Sequence, residues 1–458
     1  MKNLTLENIA AVTAGTYHGD ESKKHIEVNS IEIDSRKVQP GGLFVAIKGE
    51  RADGHNFIKQ VIDGGALAVI SEHELPGSDF PYIQVKSSLQ AVKDIAEFYL
   101  KQLHIPVVGI TGSVGKTSTK EMVYSVLRQK YRVLKTEGNF NNELGLPLTV
   151  FRLRDDDQIA VLEMGISHFG DMHRLAKIAR PHTIIMTNIG CAHLENLKTR
   201  DGILKAKSEI FDFIEPDATI IVNGDDDKLS TIKDVQGIKP HTFGFDATND
   251  FWADNMQSLG LKGTKCRLHT PAGIINGVTV AMPGKHMVLN ALAAAAAAGI
   301  AYGLTLSQIK AGIEANESLA GRFSIIETGT FTIIDDCYNA NPVSMKASLC
   351  ALQDADTRKV AILGDMGELG ANERQLHADV GSYAAKLRID SFLCVGPLSE
   401  NIASAIKAGD PTKEVHHFAT KDDLLSQLDN LLRKGDTVLV KASHFMGFAQ
   451  IVNYLKEK

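Results

Sequence analysis

The chain has 458 residues, 44% of them hydrophobic and 23% charged, a globular balance that excludes an intrinsically disordered chain. Its net charge of −6 gives no electrostatic reason to expect nucleic acid as a partner. The five cysteines (Cys191, Cys266, Cys337, Cys350, Cys394) are scattered without a C-x-x-C pair, so neither a zinc site nor a disulfide framework is expected and a reducing cytoplasm fits best.

At about 150 residues per domain the length predicts near three domains. The N-terminus, MKNLTLENIAAVTAGTYHG, lacks a basic start followed by an apolar stretch, so no secretory signal is expected. Residues 1–104 carry short β-like runs at Ile31-Glu-Ile, Leu43-Phe-Val-Ala-Ile, Ala68-Val-Ile and Tyr82-Ile-Gln-Val, separated by helix-like stretches, and predict a small α/β domain. From residue 105 the pattern changes. Val107-Val-Gly-Ile-Thr reads as a buried strand, and apolar strands follow at Ile159–Met164, Thr183–Thr187 and Thr219–Val222, as in a parallel sheet covered by helices.

The first of these strands runs into Gly109-Ile-Thr-Gly-Ser-Val-Gly-Lys-Thr-Ser-Thr119 and then a helix. Glycines let backbone N–H groups surround phosphate oxygens, and the helix N-terminus adds positive potential. Lys116 can reach the outer phosphates and the Thr117 hydroxyl can ligate Mg²⁺. ATP is the ligand this predicts. The general P-loop pattern fails at its first position, where Ile110 replaces a glycine.

Glu163 ends a predicted strand and His193 follows the next one, both at carboxyl ends, where open α/β sheets bind ligands. Glu163 is a candidate Mg²⁺ ligand. Lys205 and Lys207 lie on a predicted helix and by spacing alone are a solvated face. The alanine-rich run Ala291–Ala298 is too short for a bilayer, which takes about 20 residues, and predicts a tightly packed helix rather than membrane insertion. The middle domain is expected over 105–321. A third, doubly wound domain is expected over 322–458, from strands at Thr332–Asp335, Val360–Leu363, Phe392–Val395 and Val438–Val440 with helices between.

Together these residues resemble the Mur ligase superfamily, whose phosphate loop T-G-[TS]-x-G-K-T-[ST] is matched by Thr111-Gly-Ser-Val-Gly-Lys-Thr-Ser118. The resemblance covers essentially the whole chain. It implies a central ATPase-like domain and a C-terminal Rossmann-like domain that closes on ATP and binds the incoming dipeptide. It also implies an ATP site of Gly112, Ser113, Val114, Gly115, Lys116, Thr117 and Ser118, with Asn290 on adenine, Arg322 near the terminal phosphate and Asp336 on ribose. Glu163 and His193 would hold a second Mg²⁺ together with Lys207, carrying a CO₂-derived carbamate, because the A-K-x-E-I-F context fits Lys207 and not Lys205.

Asp34-Ser-Arg-Lys and Asp53-Gly-His-Asn-Phe57 are similar to the family's UDP-muramyl-binding domain, which makes Ser35 and Arg36 candidate diphosphate contacts. Asn141 and Asn142, in Thr136-Glu-Gly-Asn-Phe-Asn-Asn-Glu-Leu-Gly145, match the segment that meets the muramyl peptide. Leu363-Gly-Asp-Met-Gly-Glu-Leu-Gly370 and Tyr338-Asn-Ala-Asn-Pro342 resemble the members that add D-alanyl-D-alanine to UDP-N-acetylmuramoyl-tripeptide, so those two molecules are the expected partners and a monomer the expected state. Met287 and Ala442 depart from the family pattern. Other members of the superfamily, adding the third residue or glutamate to folate, are the nearest alternative, and a nucleotide-gated binding protein is a more distant one.

Overall fold

The computed structural model describes residues 1–50, 52–317 and 319–458. The three-domain α/β architecture is present, and the chain divides into two compact units. One comprises Met1–Thr111, Tyr131–Ile184 and Ser208–Ala218; the other Gly112–Lys130, Ile185–Lys207 and Thr219–Lys458.

The first unit opens with a five-stranded sheet of β1 (Thr16–His18), β2 (Ile31–Glu32), β3 (Leu43–Val45), β4 (Ala68–Ser71) and β5 (Tyr82–Gln84), in the order β1-β5-β4-β3-β2. All neighbours are parallel except β1 with β5. Then come β6 (Val107–Thr111), β7 (Val133–Lys135) and β8 (Ile159–Glu163), where β8 pairs in parallel with both β6 and β7. Strands β6 and β8 are buried at every residue, which is why they read as unbroken apolar runs instead of an alternation. β9 (Thr183–Met186) carries the chain from the first unit into the second.

In the second unit the helix Lys116–Leu127 packs against the alanine-rich helix Lys285–Ala296, in which every residue from Asn290 to Ala296 is buried. Small side chains let the two backbones approach. The helix Leu306–Glu314 also packs close to Lys116–Leu127, so that a Cβ on Gly312 would sit 2.4 Å from the Val126 Cα.

Strands β10 (Thr219–Asn223), β11 (His241–Gly244) and β12 (Phe251–Ser258) are parallel. β13 (Thr264–Thr270) and β14 (Gly273–Val280) then continue antiparallel. Strands β12, β13 and β14, like β11, lie outside the apolar runs expected of this domain. Their connections, 259–263 and 271–272, are hairpin-length, whereas a parallel crossover needs a dozen or more residues.

The C-terminal sheet comprises β15 (Ser324–Glu327), β16 (Thr332–Asp335), β17 (Lys359–Gly364), β18 (Ser391–Val395), β19 (Glu414–Phe418) and β20 (Thr437–Lys441), ordered β15-β16-β20-β17-β18-β19. Only β15 is antiparallel. Strand residues alternate between two cores. Ala361, Leu363, Phe392, Cys394 and Leu439 face the helices Pro342–Leu352, Glu373–Ala384 and Glu400–Gly409. Val360, Ile362, Leu393, Val438 and Val440 face Lys421–Leu431 and Ala449–Lys456. The sheet is therefore doubly wound. The chain leaves β17 toward one face and neighbouring β20 toward the other, so the crevice beyond their carboxyl ends is a topological switch point, where such sheets bind ligands. Among the described residues no helix is long and apolar enough to cross a membrane.

Candidate active site

The phosphate loop is shaped by two glycines. Gly112 has φ +149°, and a Cβ there would fall 1.9 Å from Thr187 Oγ1; Gly115 has φ +83° and precedes the helix Lys116–Leu127. Residues just beyond β9 stitch the loop down. Val114 N–H donates to Asn188 Oδ1 at 2.9 Å, while its carbonyl accepts from Thr187 Oγ1 at 2.6 Å and Asn188 Nδ2 at 2.9 Å. Ser113 N–H donates to the Asn188 carbonyl at 3.0 Å. Thr187 and Asn188 are thus the loop's clamp, a role their sequence gives no motif for.

Lys116 folds back over this turn and donates to the Gly112 carbonyl at 2.8 Å. The Ser113 hydroxyl is buried and has no partner among the described residues, a donor left for a ligand oxygen. Thr117, 4% exposed, lines a narrow cleft with Ser118, Glu121, Met282 and Arg322. Helix dipole, backbone N–H groups and ammonium converge as an anion site requires.

Asn290 is buried beside this helix, and its Oδ1 accepts from Thr119 Oγ1 at 3.0 Å. Its amide lies 3.5 Å from the sulfur of Met287, the residue that departs from the family pattern. The Arg322 guanidinium lies over the Tyr338 ring at 3.9 Å from its centroid. Asp335 holds the adjoining turn by accepting from Gly321 N–H at 3.1 Å.

Asp336, expected on ribose, has Oδ2 held by Lys441 Nζ at 2.6 Å and by Ser348 Oγ at 2.5 Å. Lys441 is 1% exposed and also donates to the Asn339 carbonyl at 3.1 Å. Ser443 Oγ accepts from Gly367 N–H at 2.9 Å and donates to the Ala340 carbonyl at 3.3 Å. The loops leaving β16, β17 and β20 are therefore tied to one another at the switch point. The β17 loop is tied to the helix that follows it: His377, on Glu373–Ala384, accepts from Met366 N–H through Nε2 at 2.9 Å and donates through Nδ1 to the Glu373 carbonyl at 2.7 Å, and burial holds its pKa below the usual histidine value. Asp365 accepts from Ser399 N–H at 2.7 Å, and burial pushes its pKa up.

Lys207 is 2% exposed, on the helix Arg200–Ser208. Burial, with the like charge of Lys116 added, pushes its amine well below the ordinary lysine range. A buried neutral amine is the form that captures CO₂, and the resulting carbamate is an anionic oxygen donor suited to Mg²⁺. Lys207 is thus no solvated face. His193 lies after β9, at the position preceding the short helix Leu194–Leu197 and without a side-chain cap bond to it.

Glu163 belongs to the first unit, at the end of β8. It is 1% exposed, its N–H donates to Thr136 Oγ1 at 3.0 Å, and its Oε1 accepts from Asn141 Nδ2 at 2.8 Å. A proposed metal ligand and a proposed muramyl contact are therefore direct partners. Asn142 Oδ1 accepts from Leu144 N–H at 3.2 Å and from Gly145 N–H at 2.8 Å, holding the turn that leads into the helix Gly145–Val150. Arg36 makes a two-point pair with Asp34, Nε to Oδ1 at 2.9 Å and Nη2 to Oδ2 at 2.8 Å, which lowers the Asp34 pKa to about 2. Ser35 sits in the same turn, partly exposed.

A strand-to-helix phosphate loop and a doubly wound C-terminal sheet define an α/β protein with a cradle for nucleotide phosphates, and the chain belongs to the Mur ligase family. Residues 27–109 match the family's catalytic domain, 110–298 the Mur ligase middle domain and 321–444 the Mur ligase glutamate ligase domain. The UDP-N-acetylmuramoyl-tripeptide–D-alanyl-D-alanine ligase of Bacillus subtilis is 36% identical over 99% of this chain and 98% of its own length. A crystal structure of MurF from Acinetobacter baumannii superposes with TM-score 0.90 at 35% identity, covering 99% of both chains. MurF ligase from Thermotoga maritima, solved in complex with ADP, gives TM-score 0.81 at 29% identity over 93% of this chain and 97% of that one.

Proposed function

We propose that the chain joins D-alanyl-D-alanine to UDP-N-acetylmuramoyl-tripeptide at the expense of ATP, forming ADP and phosphate, in the cytoplasmic synthesis of peptidoglycan precursors. The observation that carries this reading is likeness over the full length to ligases of that name, joined to a phosphate cradle in which Lys116, the Ser113 hydroxyl and a helix N-terminus converge.

A carboxylate does not accept an amine at neutral pH until it is activated. In this reading the γ-phosphoryl group of ATP passes to the tripeptide's terminal carboxylate, giving an acyl phosphate. The dipeptide amine then attacks, and phosphate leaves from a tetrahedral intermediate. Backbone N–H groups of Gly112–Ser118 hold the β- and γ-phosphates in line. Lys116 exchanges its bond to the Gly112 carbonyl for the γ-phosphate, countering charge that spreads over the transferring oxygens. Arg322, held over the Tyr338 ring, approaches the same phosphate. Asn290 takes the adenine, Asp336 the ribose edge, and Ser35, Arg36, Asn141 and Asn142 the muramyl substrate. The domains in this scheme are 1–104 for the UDP-muramyl peptide, 105–321 for ATP and 322–458 for the dipeptide.

Thr117, Glu163, His193 and carbamylated Lys207 would hold Mg²⁺, which neutralises phosphate charge when bound. The carbamate reading rests on the burial and depressed pKa of Lys207.

The test is incubation with ATP, Mg²⁺, UDP-N-acetylmuramoyl-tripeptide and D-alanyl-D-alanine, followed by mass spectrometry. A UDP-linked pentapeptide that requires every component is expected. ADP release with another acceptor alone would reassign the substrate within the family, and no substrate-dependent ADP at all would leave a nucleotide-binding protein.

A further inference from the structure

The loop after β17 contributes more to the site than its ties to Ser443 and His377. Its Glu368 places Oε2 2.6 Å from His193 Nδ1, an ion-pair distance without the alignment of a hydrogen bond. Both residues adopt backbone that side-chain-bearing residues avoid, His193 at φ +59° and Glu368 at φ +59°. Two such conformations facing each other are held by their surroundings, and outliers of this kind cluster where function needs a side chain aimed. The segments that carry them also touch through their backbones, since a Cβ on Gly370 would lie 3.5 Å from the Glu195 Cα.

We propose that Glu368 is a positioning residue for the metal site: it accepts the Nδ1 proton of His193, fixes the imidazole as the Nδ1–H tautomer and leaves Nε2 as the metal-facing atom. This rests on His193 being a metal ligand, as in the function proposed above. Metal-bound histidines regularly give their second N–H to a carboxylate, which fixes ring orientation and raises the basicity of the ligating nitrogen. Here the carboxylate comes from the C-terminal sheet and the histidine from the segment after β9. The loop that leaves the switch point would thus report its position to the metal site through one hydrogen bond.

The test uses Mn²⁺ in place of Mg²⁺ and reads free Mn²⁺ by electron paramagnetic resonance, on the full chain without other substrates. Glu368→Asn suits it, because asparagine tolerates left-handed backbone but is one methylene shorter, and the Glu368 side chain is 64% exposed, so the fold should persist. Glu368→Asn is expected to weaken Mn²⁺ binding by roughly 10-fold or more. Glu368→Gln, which still offers an acceptor at the right reach, is expected to keep most of the affinity. The ligation rate of Glu368→Asn should recover at high Mg²⁺, which a merely structural defect would not do. His193→Gly is the reference. If it weakens Mn²⁺ binding while Glu368→Asn binds as the wild type, the positioning role is overturned and the metal reading stands. If neither variant changes Mn²⁺ binding, His193 is no ligand and the inference falls with the metal reading.

Discussion

The phosphate loop and the outgoing loops of the C-terminal sheet are built in opposite ways. The first is one run, Gly112–Ser118, shaped by its own glycines and clamped by two consecutive residues, Thr187 and Asn188. The second is three runs from β16, β17 and β20, held by side chains as far apart in sequence as Asp336 and Lys441. A local device tolerates drift elsewhere in the chain, whereas a distributed one makes the site depend on sheet order. Single substitutions should therefore separate chemistry from architecture in the first region and confound them in the second.

The largest effect is expected from Lys116→Ala. Removing the one ammonium of the phosphate loop should lower substrate-dependent ADP release by roughly 10²–10³-fold, with the thermal midpoint nearly unmoved. A large loss of stability instead would show the local region to be as architectural as the other.

Lys441→Met attacks the distributed region. It leaves the Asp336 carboxylate, with a side chain 13% exposed, without its cation. Breaking such a pair from one side costs about 3–5 kcal/mol, which urea unfolding would read as a lower midpoint at unchanged slope. The double variant Lys441→Met/Asp336→Asn should regain much of that stability, because no unpaired charge remains. Failure to regain it would mean that Lys441 matters through its bonds to backbone carbonyls.

Arg36→Ala should do least to the fold, within about 0.5 kcal/mol, as expected of a surface substitution; the side chain is 83% exposed. It sharpens the comparison from outside both regions: a raised KM for the UDP-linked substrate at unchanged KM for ATP is expected, and equal kinetics for both would remove Arg36 from the diphosphate site.

Sequence legibility follows the same divide. The phosphate loop could be read because its glycines, lysine and threonine are contiguous and sit between a buried strand and a helix. Lys207 could be picked out only through family resemblance, since spacing alone gave a solvated face, and its burial beside Lys116 is a tertiary fact. Asp336 was expected toward ribose, but that β16 lies next to β20, and so brings Lys441 to it, is written in no local pattern. That Asn142 holds the turn before the helix Gly145–Val150 is a structural role any Asn-rich turn can fill, beside the substrate contact its motif implies. The alternation that marks β13 is mixed with polar residues on both faces, which hides it from a search for apolar runs.

The account stands or falls on carboxylate activation, and isotope transfer measures that directly. UDP-N-acetylmuramoyl-tripeptide labelled with ¹⁸O in its terminal carboxylate, turned over with ATP and D-alanyl-D-alanine, should deliver one labelled oxygen to each phosphate released, because the oxygen bridging acyl and phosphoryl groups departs with the phosphate. Phosphate released without label, alongside product or without it, would contradict the acyl phosphate and the reading of the site built on it.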